Sequence, residues 1–104
     1  MKGESVEKKH GSERRKVNES LINLLERARK DMRANLPFIR EEIEEIITSK
    51  NRNGARIEQN LDTLMDYMEM GVGEREFVML NRYYEGVDKK GYEFYKKEYE
   101  KRYK

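Results

Sequence analysis

The stretch IEQNLDTLMDYMEM, from Ile57 to Met70, constrains the fold more than any other part of the chain. Ile57, Leu61, Leu64, Met65 and Met68 recur at i, i+4, i+7, i+8 and i+11, the spacing of one helical face. Such a face has to be buried, so the rest of the chain is expected to supply helices that cover it. Charged residues make up 42% of the sequence and hydrophobic ones 36%, proportions that would favour disorder if the apolar residues were scattered. They are instead gathered on helical stripes, which predicts a folded core under a dense ionic surface.

Upstream, Val17, Leu21, Leu24, Leu25, Ala28 and Met32 mark a first helix that starts at Ser12 or Asn18 and runs to Asn35. Pro37 lacks an amide hydrogen and disfavours helical geometry at Leu36, so it is expected to end that helix and open a second. The second helix reaches Lys50 with Ile39, Ile43, Ile46 and Ile47 inward. Asn53-Gly54 and Gly71-Val72-Gly73 carry turn chemistry on either side of the core stretch. The short connection SKNRNGA predicts a helical hairpin. Glu74 to Glu85 predicts a further helix with Phe77, Leu80 and Tyr84 on one face. Gly86 and Gly91 are then expected to break the chain before a last helix over Lys89 to Lys104, capped by Asp88 and striped with Tyr92, Tyr95, Tyr99 and Tyr103.

These elements predict an all-α fold, a small antiparallel helical bundle of four to five helices. Residues 1–16, MKGESVEKKHGSERRK, hold one large apolar residue, Val6, and cannot offset their ordering entropy by burial. They are expected to form a disordered, flexible basic N-terminal arm ahead of a single helical bundle domain over residues 17–104.

The chain has no cysteine, which excludes disulfides and thiolate metal sites and fits a reducing, cytoplasmic location. It also has no run of the roughly 18–20 apolar residues that a membrane span needs. A net charge of +2 selects neither nucleic acid nor an acidic membrane by itself. Glu and Lys greatly outnumber Gln and His, a thermophile-like surface bias.

Catalysis needs a positioned acid, base or nucleophile, and the single histidine, His10, lies in the arm. No phosphate-binding glycine loop and no EF-hand loop is present. The chain is therefore not expected to be an enzyme or to require a cofactor. A small helical accessory or interaction protein is expected, presenting a helical surface around Phe77, Val78, Met79 and Tyr83 to a macromolecular partner or to itself as a homodimer. A domain of about ninety residues buries only about 60–65% of its unfolded surface, and a dimer interface would extend that thin core.

Two alternatives come from other classes. Glu41, Glu45, Glu58, Asp62 and Asp66 line acidic helix faces and would make a weak site for Ca²⁺ or Mg²⁺ if a hairpin brought the faces together. Arg14, Arg15 and Lys16 in the arm, with Arg29, Lys30 and Arg33 on the first helix, would serve a nucleic-acid-binding protein through phosphate contacts.

Overall fold

The computed structural model describes the backbone of residues 2–103 and the side chains of residues 19–102. The flexible arm expected over residues 1–16, including Arg14, Arg15 and Lys16, has its side chains outside the described residues. The described residues form four helices, α1 (Lys2–Thr48), α2 (Gly54–Glu69), α3 (Glu74–Tyr84) and α4 (Lys89–Tyr103), and contain no strand.

The sequence of α2 forms the predicted core helix because both its ends are specified. The Asn53 side chain accepts from the Arg56 amide at 3.1 Å, satisfying one of the donors that a helix leaves free in its first turn. At the other end Gly71 and Gly73 both adopt positive φ, and the Gly71 and Val72 amides return to the carbonyls of Met68 and Tyr67. Between these ends Ile57, Leu61, Leu64 and Met68 are buried, with Met65 packed at the edge of the core.

Pro37 does not separate two helices as expected; it lies inside α1. The missing amide removes only the bond to the Arg33 carbonyl. Both Arg33 and Pro37 are exposed, so that carbonyl faces solvent. Away from the proline Leu36 and Ile39 pack onto the core and anchor the helix on either side of it.

Around α2 the core is completed by Ile39, Ile43 and Ile46 of α1, Phe77, Leu80 and Tyr84 of α3, and Tyr95 of α4. α2 packs on both α1 and α3, and α3 on α1 and α4. The tyrosine stripe of α4 is largely packing surface: the Tyr99 ring stacks on Phe77 at 5.9 Å, while Tyr95 meets Phe77 and Tyr84 edge-on. Asp88 caps α4 by accepting from the Gly91 amide at 3.0 Å. Gly91 itself is helical and breaks nothing.

Two core tyrosines donate to carboxylates of α2, Tyr84 to Glu58 and Tyr95 to Asp62 at 2.8 Å. Burial, and then the accepting carboxylate, holds each phenol neutral well above the ordinary tyrosine range. Unfolded tyrosine loses its proton near pH 10, so above that pH the unfolded state binds fewer protons than the folded one. Stability from these two groups is therefore fully present below about pH 10 and falls as the pH rises past it. Thermal melts followed by circular dichroism should show a melting temperature that drops above about pH 10. In Tyr84→Phe/Tyr95→Phe the drop should be shallower, starting from a stability lowered by about 1 kcal/mol per lost hydrogen bond.

Candidate interaction surface

The face of α1 that enters the core continues far beyond it. At about 100° per residue, Leu21, Leu25, Ala28 and Met32 all fall within about 40° of the direction of Ile39, Ile43 and Ile46. α2, with 16 residues, covers about 24 Å of that face before the chain turns back at Gly71. The outermost tie is Arg29, whose Nε donates to the Met70 carbonyl at 3.0 Å; Asn35 donates to the Tyr67 hydroxyl one to two turns further in.

Beyond Arg29 the apolar stripe loses its cover. Leu21, Ile22, Leu24 and Leu25 are 50%, 53%, 60% and 42% exposed. The two residues nearest the tie, Ala28 and Met32, are half-buried. The segment 19–31 is thus a helical stem with a leucine-rich face open to solvent, carried past the end of α2.

A second concavity lies between α3 and α4. Phe77, Val78, Asn81, Tyr92 and Tyr99 line a groove of about 250 Å³. Asn81 is buried and donates to the Tyr92 carbonyl at 3.3 Å, while its Oδ1 accepts no hydrogen bond from the described residues.

The residues expected to form one interaction surface do not. Phe77 is 1% exposed and belongs to the core, Val78 lines the α3–α4 groove, and Met79 is exposed. Tyr83 donates its hydroxyl to the Asn51 carbonyl at 2.6 Å and fastens the α1–α2 connection to α3.

The acidic faces are arranged differently from the expectation. Arg56 of α2 reaches both Glu42 and Glu45, at 2.7 and 2.5 Å, and its guanidinium holds the Glu42 carboxyl below the usual carboxylate range. α1 therefore meets a base of α2 where two acidic rows were expected to meet. Glu58 and Asp62 accept from the core tyrosines, and Glu41 and Asp66 are exposed. Among the described residues no three acidic or histidine side chains converge as cation ligands. Of the candidate phosphate-binding bases, Arg29 holds the Met70 carbonyl, and Lys30 and Arg33 are exposed on α1.

Sequence reasoning missed that the leucines of the stem lie outside the core. The signal was length: the apolar stripe of α1 spans more turns than α2 can cover. No known protein family, curated protein or solved structure matches the chain.

Proposed function

We propose that this chain is a small helical accessory protein that works by contact. In this reading an antiparallel helical bundle presents the open face of the α1 stem to another helix, either on a macromolecular partner or on a second copy of itself. The exposure of Leu21, Ile22, Leu24 and Leu25 on one continuous helix supports it. Contiguous apolar patches on small proteins mark contact sites, and helices of about 12–15 residues are marginal in water unless their apolar face packs on something. Such a protein needs neither a cofactor nor a catalytic group. A reducing, cytoplasmic setting fits the absence of cysteine. Among the described residues no helix is long and apolar enough to cross a membrane.

The test replaces the face without touching the core. Leu21→Asp with Leu25→Asp should leave the melting behaviour of the packed helices within about 0.5 kcal/mol of the original, because both positions are solvent-facing. In sedimentation velocity the same variant should lose at least tenfold in association strength. Identical sedimentation of both proteins as monomers at every concentration, with residues 19–31 equally unprotected in both, would contradict contact with a second copy.

A further inference from the structure

We infer that the groove between α3 and α4 binds a small neutral aromatic molecule carrying an N–H donor, an indole-like compound, with the side-chain oxygen of Asn81 as the acceptor that selects it. The site is separate from the stem of α1 and does not depend on what the stem contacts.

The polar atom comes first, because an apolar groove alone selects little. Asn81 of α3 is 5% exposed and lines the groove. Its Nδ2 donates to the Tyr92 carbonyl of α4 at 3.3 Å. That bond fixes which end of the amide is which, since the amide oxygen has no hydrogen to donate. Oδ1 is thereby held as a buried acceptor with no donor among the described residues. A buried acceptor keeps its desolvation penalty until a donor reaches it, and nearly all such groups in folded proteins are paired. An indole N–H is a donor only, so it satisfies Oδ1 without bringing a new unpaired acceptor into the groove, as a hydroxyl would.

The walls set the rest of the ligand. Val78, Tyr92 and Tyr99 are half-buried and give the groove apolar sides, against which a flat ring packs offset or edge-on. At about 250 Å³ the groove lies just below the range of about 300–1,000 Å³ usual for ligand sites, which leaves room for one or two fused rings and little more. The rim carries Arg82 and Lys96 against Glu85 and Glu100, so its charges balance and favour neither an anion nor a cation. Oδ1 is closed off from solvent in this structure. The ring therefore reaches it as side chains of the groove turn aside, the kind of rotamer change that commonly accompanies binding.

The test is an amide-resolved NMR titration of the full chain with indole and, separately, with benzofuran, which has the same shape and an oxygen in place of the N–H. Indole should give saturable shifts confined to α3 and α4, the Asn81 side-chain amide among them. It should bind at least about tenfold tighter than benzofuran, because a site built to meet a donor rejects the analogue that lacks it. In Asn81→Leu the preference should shrink to less than about twofold, since the acceptor is gone. Absence of saturable indole shifts at these residues would overturn the site. Equal affinity for the two compounds, or a preference that survives in a folded Asn81→Leu protein, would overturn Asn81 as its selector. The comparison of the two compounds on the unaltered protein decides the matter even where Asn81→Leu fails to fold.

Discussion

Replacing Arg40 with methionine is expected to destabilise the packed helices by about 2–3 kcal/mol at neutral pH. The Arg40 guanidinium, on the half-exposed edge of α1, places Nη2 and Nε at 2.7 and 3.0 Å from one carboxylate oxygen of Glu76. The Glu76 side chain is 5% exposed, against 48% for Arg40. Methionine keeps the aliphatic stem and removes the ion pair that this carboxylate makes with Arg40. Stranding one partner of a fully buried pair costs about 3–5 kcal/mol. The lower figure applies here because Arg40 is half in water and Glu76 sits in the first turn of α3, where the helix dipole favours negative charge.

Urea titrations of the original and the variant at pH 7 measure this difference directly. The double variant Arg40→Met/Glu76→Leu should recover most of the loss, because it leaves no charge stranded.

Gly91→Ala is expected to cost about 2 kcal/mol net, although alanine is the better helix former by about 1 kcal/mol. A Cβ on residue 91 would stand 2.6 to 2.8 Å from Cε2, Cζ and the hydroxyl oxygen of Tyr84. That ring is a rigid part of the core: it is 1% exposed, sits edge-on to Tyr95, and holds Glu58 through its hydroxyl. Neither α4 nor the ring can yield without breaking one of these contacts. The loss should appear in denaturant melts, and in Gly91→Ala/Tyr84→Leu the two substitutions should cost less than the sum of the single variants, because the smaller side chain opens the space the methyl needs.

Much of the fold was legible where local chemistry and tertiary packing agree. The stripe from Ile57 to Met68, the glycines after Met70 and the Asp88 cap all lie where their residue types place them. Pro37 misled because its effect depends on which way it faces: on the solvent side of a helix anchored by Leu36 and Ile39, it forfeits one exposed hydrogen bond and no more. Gly91 read as a breaker because the sequence does not reveal the ring of Tyr84 against it.

The acidic rows illustrate a second limit. Composition shows that Glu45, Glu58 and Asp62 lie on helix faces, but only the packed structure reveals that Arg56, Tyr84 and Tyr95 meet them. Burial of Glu76 was equally out of reach, since an acidic residue in a first helical turn ordinarily faces water. The stem leucines were correctly placed on one face, yet whether that face is covered depends on how far α2 reaches back along α1.

Amide-resolved hydrogen exchange of the full chain at about 10 μM and about 1 mM tests the central claim, that the stem face is a contact face, more directly than any other measurement. Protection of residues 19–31 is predicted to rise about tenfold or more at the higher concentration, while that of the core amides from Ile39 to Tyr95 stays unchanged, as expected when native-state association holds a local segment closed. Equal protection of the stem at both concentrations would contradict contact of that face with a second copy.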